Sequence, residues 1–287
     1  MASTATPQNL PTVTAYELKL AWPLGAFFLL FFLAPLLLLL FISFYADTAM
    51  THFGLTQYAK FLLDPFSLKV LGATLWLGVE VTALCLLLGF PLAYFISRQP
   101  SRWQKLLLVL VIVPFWTSFI VRTYAIVNLI DNGGPLQHFL HALHVLSGPL
   151  NILYTPKGIA LGIVYSYLPL MVLPIYVSLE RIDYNLVDAA NDLGANPRRT
   201  FRRVTLPLAM PGVVVGCIIV GIPALGEYVI PEILGGGKTL MLGNVVTDQF
   251  LSVGDYPFGS AIAVALMVVM AVALIVFRLA QRRAAPS

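Results

Sequence analysis

The sequence predicts an all-α membrane protein that crosses the bilayer six times. Of its 287 residues, 59% are hydrophobic and only 10% are charged, whereas average soluble proteins carry roughly 25% charged residues. The apolar residues fall into stretches of about 20 or more, the length that a helix needs to cross a bilayer. The net charge of +4 divides between the two sides of the membrane, so it does not indicate a nucleic-acid partner.

Six apolar stretches follow one another with short polar connections between them. The first is longer than the apolar region of a signal peptide, about 7–15 residues, and no small-x-small cleavage site follows it, so we read it as an uncleaved helix. The predicted spans are residues 22–45, 68–97, 106–130, 158–179, 208–234 and 257–279. They divide the chain into an N-terminal segment (1–21), a transmembrane domain (22–280) and a tail (281–287).

The basic residues predict the orientation of these spans, because an excess of lysine and arginine marks cytoplasmic segments. A cytoplasmic N-terminus places twelve of the 17 basic residues inside. An even number of spans then returns the C-terminus to the cytoplasm. The inside residues are Lys19, Arg98, Arg102, Lys105, Arg181, Arg198, Arg199, Arg202, Arg203, Arg278, Arg282 and Arg283.

The longest inner connection, about residues 181–207, has the features of two short helices joined by a hinge. Asp183 can cap the first helix and Asn196 the second. Gly194 stands where a left-handed C-terminal cap is needed, because glycine adopts positive φ without a Cβ clash. Arginines line the second helix, which we expect to end at Leu206-Pro207, where the membrane begins. An ordinary capped hairpin with arginines on the inner side is the simpler alternative.

The spacing of this loop resembles the EAA signature of bacterial ABC importer permeases. The run 188–195 holds an acidic residue, two alanines and a glycine at the seventh place, and Leu206-Pro207 follows at the signature's distance. Aspartate replaces the family's usual glutamate and keeps the charge. The resemblance implies that the loop docks on a separate ATPase and passes its motion to the membrane. The residues that it assigns to ATPase coupling are Asp188, Ala189, Ala190, Gly194, Arg198, Leu206 and Pro207.

Other stretches are similar to the spermidine/putrescine ABC permease family in particular. These stretches are residues 110–118, 162–169, 223–232, 243–245 and 255–261. The resemblance implies the type I importer permease fold, in a bacterial inner membrane, with coupling helices in the cytoplasm. It also implies three partners besides membrane lipid: two copies of an ABC ATPase, a second homologous permease, and a periplasmic or lipid-anchored substrate-binding protein.

The same resemblance implies a transport subunit rather than an enzyme. The partner ATPase would hydrolyse ATP, so we expect no catalytic residue, cofactor or metal in this chain. It would form half of the pathway for a small cationic solute, with a polyamine such as putrescine or spermidine as the first hypothesis. Similar permeases serve other amines, amino acids and phosphonates, so the solute stays open.

Acidic residues inside predicted spans are candidates for contact with a cationic solute, because an ionisable group at membrane depth is costly unless it is paired or faces water. Glu227 is the strongest candidate, since Pro223 and Gly226 can interrupt its helix and Tyr228 offers a ring for cation–π attraction. A carboxylate bonded to a helix end or to the partner permease is the alternative. Glu80 has no helix-breaking neighbour and is the weaker candidate.

Aromatic residues could form walls of a pathway. The candidates are Trp116 and Tyr165, together with Tyr124 and Tyr167. Aromatic rings at span ends more often anchor a protein at the membrane interface.

Rival functions have less support in the sequence. A secondary transporter driven by an ion gradient should show inverted repeats, and we find none. A metal site at His138, His141 and His144 is weaker than the alternative of a solvated helix. The run 235–239 resembles a phosphate-binding loop, but Glu232 occupies the place of its first glycine.

Overall fold

The computed structural model describes residues 15–145 and 147–284, so residues 1–14 and 285–287 of the predicted terminal segments lie outside the described residues. The part of the chain that it describes is a set of helices packed side by side. In chain order the helices are α1 (Trp22–Ile42, within a helix that begins at Ala15), α2 (Thr56–Leu63), α3 (Pro65–Ser97), α4 (Ser101–Ile112), α5 (Phe119–Ile130), α6 (Pro135–Ala142), α7 (Pro156–Glu180), α8 (Tyr184–Asp192), α9 (Pro197–Leu225), α10 (Val229–Gly235), α11 (Leu242–Asp248) and α12 (Tyr256–Ala284).

Five of these helices are long and apolar enough to cross a bilayer, namely α1, α3, α7, α9 and α12. The predicted third span is not one straight helix. Its two halves, Ser101–Trp116 and Phe119–Ala142, meet at 98° and bring the number of spans to six when counted together. Pro114 lies in the short 3₁₀ turn at the break, and Thr117 and Ser118 are extended. Proline lacks an N–H group and cannot continue the hydrogen-bond ladder.

The predicted fifth span, residues 208–234, differs from the structure at both ends. Its helix already begins at Pro197 and runs through a π-helical turn, Phe201–Thr205, before Pro207. The wider turn lets the helix continue past a residue without a backbone N–H, so the expected end at Leu206-Pro207 is wrong. At its C-terminal end the helix stops at Leu225, and a short helix resumes at Val229.

The centre of the bundle is α7, which packs against α3 and α9. Small residues allow this close approach of helices. A Cβ on Gly216 of α9 would lie 2.7 Å from the sulfur of Met171 on α7, and one on Gly162 of α7 would lie 2.8 Å from a methyl group of Leu234 on α10. The outward faces of α1 and α12 are exposed and apolar, as surfaces that face lipid or another membrane subunit would be.

Candidate functional site

The inner loop between α7 and α9 has the predicted helix caps. The Asp183 carboxylate accepts a hydrogen bond from the backbone N–H of Asn185 at 3.0 Å. The Asn196 side chain accepts one from the N–H of Arg199 at 2.9 Å. Each bond satisfies a donor that the first turn of a helix would otherwise leave free. Both capping predictions are confirmed.

Gly194 ends α8 in the left-handed conformation, with φ at +79°. The N–H of Ala195 donates to the carbonyl of Ala190 at 3.0 Å, which is the bond of a Schellman cap. The place of a Cβ on Gly194 is open, with no neighbour within 4 Å. The backbone angle rather than crowding therefore requires glycine here, as predicted.

Buried contacts fix this loop on the inner end of α3. The ring of Phe201 meets Phe90 at 5.8 Å and Tyr94 at 5.7 Å, nearly perpendicular to both, in the edge-to-face geometry that aromatic pairs prefer. Ile182 and Val187 are buried beside it. These contacts attach the loop to α3, and the sequence analysis did not identify these anchors.

The surface that the loop presents to solvent is small and partly apolar. Leu193 is 90% exposed, and Asp188, Ala189, Arg198 and Pro207 are also exposed. Ala190 and Leu206 are half-buried. Single exposed apolar residues are common, but Leu193 lies at the rim of a groove of about 280 Å³. The groove is lined by Ala190, Leu193, Ala195, Arg199, Thr200, Arg203 and Val204.

The second candidate site lies where the fifth span breaks, between Leu225 and Val229. Glu227 is only 7% exposed. One of its oxygens accepts the backbone N–H groups of Val229 at 3.0 Å and Ile230 at 3.3 Å. The other accepts the hydroxyl of Tyr167 at 2.8 Å. The carboxylate thus binds the start of α10, which is the helix-end role held open as an alternative in the sequence analysis.

Residues after α10 brace the same break. The side chain of Asn244 donates to the carbonyl of Tyr228 at 3.0 Å and to Glu232 at 2.7 Å. Gly243 passes so close that a Cβ would lie 2.9 Å from the carbonyl oxygen of Glu227. Non-helical backbone at membrane depth is tolerated where protein encloses it or where it lines a water-filled cavity. These contacts therefore hold the irregular segment in place within the bundle.

The break in the third span lies near this site. Trp116, at the end of its 3₁₀ turn, is 82% exposed. Arg122, one turn into α5, is buried and donates to the carbonyl of Pro114 at 3.2 Å. Because α5 packs on α10, the structure brings the two broken spans together. Sequence reasoning counted Arg122 only as an outer basic residue.

In the described part of the chain, none of the remaining candidates other than Tyr167 has a side-chain hydrogen bond to Glu227, so their place in the site stays a prediction. Tyr165 and Tyr228 are about half exposed and Glu80 is half-buried in the middle of α3. Tyr167 belongs to the site through its bond to Glu227. Among the described residues, no group of three or more histidine, cysteine, aspartate or glutamate side chains could hold a metal ion.

Two broken spans, a central bundle and a capped loop between α7 and α9 are the arrangement expected of an integral membrane transport subunit. Residues 85–287 match the family described as binding-protein-dependent transport system inner membrane component. The chain belongs to this family of ABC importer permeases. It is therefore a multi-pass component of a bacterial inner membrane that works with a substrate-binding protein and an ATPase.

Individual relatives place the chain within the family. The spermidine/putrescine transport system permease PotB of Escherichia coli (strain K12) is 42% identical over 230 residues, which are 80% of this chain and 83% of that protein. PotB of Haemophilus influenzae is 38% identical over 251 residues, 86% of this chain and 87% of that protein. A chain of a bacterial alginate ABC transporter has the same fold, with a TM-score of 0.71, 18% identity, and coverage of 93% of this chain and 98% of that chain.

Proposed function

We propose that this chain forms half of the translocation pathway of an importer for a small cationic solute, a polyamine such as putrescine or spermidine. The observation that carries the proposal is the buried Glu227 at a break between two helices. Broken helices at membrane depth are typical of solute sites in transporters. Relatives named for spermidine and putrescine, at 38–42% identity, supply the solute class.

The surroundings of Glu227 suit an ammonium group. Its carboxylate is negative, and the half-exposed ring of Tyr228 next to it can attract a cation through its face. Trp116 and Tyr165 are exposed rings on neighbouring helices and are proposed pathway walls, with Glu80 as a second acidic contact. A pathway for a sulfate-like anion, as in a relative that is 30% identical and named for sulfate transport, would bring a second negative charge toward this carboxylate, and like charges repel.

The inner loop is proposed to be the docking surface for the ATPase. Asp188, Ala189, Ala190 and the exposed Leu193 would enter a cleft of that subunit, and Gly194 would set the angle between α8 and α9. The remaining coupling residues, Arg198, Leu206 and Pro207, lie on α9, so motion of the loop would pass directly into a span.

Two copies of the ATPase and a second homologous permease would complete the complex. Both termini and the loop would face the cytoplasm, and the binding protein would meet the opposite face. ATP supplied to one side of a sealed vesicle tests this orientation, because only the side of the loop should support uptake.

Glu227→Gln is expected to lower putrescine uptake by about tenfold or more. Glutamine keeps an amide oxygen for the N–H groups of Val229 and Ile230 but removes the charge. Two unit charges 4 Å apart interact by about 4 kcal/mol at an effective dielectric constant near 20, and each 1.4 kcal/mol is a factor of ten. The measurement is initial uptake by the purified complex in proteoliposomes, over a range of putrescine concentrations.

Glu232→Gln is the matched control, since it removes the charge of an exposed carboxylate five residues away and keeps a side-chain oxygen for the hydrogen bond from Asn244. It should leave uptake within about twofold of the unmodified complex. Uptake at the unmodified rate by the Glu227→Gln complex at every concentration would exclude a contact between Glu227 and the solute.

A further inference from the structure

A buried arginine at the break of the third span has more hydrogen-bonding capacity than the protein uses. Arg122 is only 8% exposed. Its Nη1 donates to the Pro114 carbonyl at 3.2 Å, and its guanidinium lies over the rings of Phe115 at 5.0 Å and Phe119 at 5.5 Å. Among the residues that the structure describes, none accepts a hydrogen bond from its buried Nε. A buried cation requires a compensating charge, and a single carbonyl does not supply one.

The compensating charge lies across the interface between the two broken spans. The helix of Arg122 packs on α10, which begins directly after Glu227. The helix of Arg122 also contacts α7, whose Tyr167 hydroxyl donates to Glu227 at 2.8 Å. Arg122, Tyr167 and Glu227 therefore lie on segments that contact one another, and they make up a polar cluster with a cation on one helix and a carboxylate just before another.

The cluster lies well inside the bundle rather than at its surface. Tyr167 is near the middle of the 25-residue α7, about 16 Å along the helix from its first residue at 1.5 Å per residue. Charges at such depth interact more strongly than charges in water.

We propose that Arg122 is the counter-charge of Glu227 and compensates the charge of its carboxylate while the pathway contains no solute. This inference rests on the proposed function of Glu227. When an ammonium group of the solute reaches Glu227, its positive charge compensates the carboxylate in place of Arg122. Arg122 is held by Pro114, Phe115 and Phe119 rather than by Glu227 itself, so it compensates the charge without blocking the carboxylate.

This arrangement predicts selectivity for cations. A neutral or anionic solute cannot replace the counter-charge and leaves the pair undisturbed. Because Arg122 already stabilises the Glu227 carboxylate, a cation that replaces it gains only the difference between the two interactions. The solute therefore binds within the membrane weakly enough to be released. Arg122 is thus a positioning and specificity residue rather than a contact for the amine.

The test is a double-mutant cycle on the purified importer complex, measured as the midpoint of thermal unfolding, Tm, without solute. Arg122→Met leaves Glu227 without its counter-charge, and Glu227→Gln leaves Arg122 without its partner. Each is expected to lower Tm by about 5 °C or more, because an unpaired buried charge is strongly destabilising. The double variant should lose no more than the larger single loss, since it contains neither charge.

Two further variants separate charge from other effects. Arg122→Lys keeps the charge but loses the planar guanidinium, and should have a Tm closer to that of the unmodified complex than Arg122→Met has. Lys69→Met removes an exposed basic residue of α3 and should show additive losses when combined with Glu227→Gln. Additive losses for Arg122→Met and Glu227→Gln, or equal losses for Arg122→Lys and Arg122→Met, would overturn the proposed pairing.

Putrescine at millimolar concentration, without the binding protein, tests replacement of the counter-charge. It should raise Tm more in Arg122→Met than in the unmodified complex and should have no effect on the double variant. If the cycle is non-additive but putrescine has no such effect, Arg122 is paired with Glu227 but is not replaced by the solute. Normal putrescine uptake by Glu227→Gln, together with a non-additive cycle, would refute the proposed function and leave the pairing of Arg122 with Glu227 intact.

Discussion

Gly194→Val is expected to reduce ATP hydrolysis stimulated by the binding protein by at least about tenfold, with the chain still inserted in the membrane. Gly194 has a φ of +79°, and a β-branched residue in that conformation costs about 1–3 kcal/mol. The chain relieves this strain by changing the angle between α8 and α9, because the cap bond from Ala195 to Ala190 depends on that turn. The exposed Leu193 would then no longer fit the ATPase.

Two variants show whether the backbone angle is the cause. Gly194→Asn should keep most of the activity, because asparagine adopts the left-handed conformation more readily than other non-glycine residues. Gly72→Val also adds an isopropyl group, but its Cβ would meet open space at an ordinary helical angle, and it should be tolerated. Normal stimulated hydrolysis in Gly194→Val would contradict the role of the turn.

Ala190→Asp gives an independent check on docking. It puts a charge into the groove beside Leu193 without touching a span. Binding of the ATPase to detergent-solubilised permease should fall in this variant and stay normal in Ala190→Ser.

Phe201→Ala is expected to separate ATPase docking from transport. Its ring joins the loop to Phe90 and Tyr94 on α3, whereas the exposed surface around Leu193 is unchanged. The loss in unfolding free energy should be below the roughly 3–5 kcal/mol of a fully buried phenylalanine, because Phe201 is only half-buried. The ATPase should bind normally and hydrolyse ATP, while uptake per ATP hydrolysed falls several-fold.

Phe250→Ala is the matched control for this variant. Phe250 is also half-buried and meets the ring of Tyr256 at 5.9 Å, but it belongs to the π-helical turn Gln249–Val253 next to α12. Its loss should leave the ratio of uptake to hydrolysis unchanged. An unchanged ratio in Phe201→Ala would mean that force reaches the membrane by another route, most directly along α9.

The inner loop could be predicted from sequence because its features are local. A capping side chain acts on a backbone N–H two or three residues away, and a left-handed glycine ends the helix in which it stands. Asp183, Gly194 and Asn196 therefore appear in the structure as predicted. The aromatic anchor at Phe201 involves α3, about a hundred residues earlier in the chain, and no local pattern reports such a contact.

The helix breaks were harder to predict because hydrophobicity alone does not report them. Pro114 interrupts the third span. Pro207 does not interrupt the fifth span at its own position, because a π-helical turn precedes it. Which proline breaks a helix depends on the tertiary contacts that satisfy the freed backbone groups. Arg122 does this for Pro114, and Asn244 braces the break beside Glu227.

The most direct test of the central claim is uptake of labelled putrescine by proteoliposomes that contain the purified complex of this chain with its ATPase. The binding protein is added outside, and ATP is enclosed inside or supplied outside. We expect uptake only when hydrolysable ATP is enclosed, and we expect it to persist after ion gradients have been collapsed with ionophores. Uptake driven by an ion gradient without ATP, or by ATP on the side of the binding protein, would contradict an ATP-driven importer with its loop in the cytoplasm.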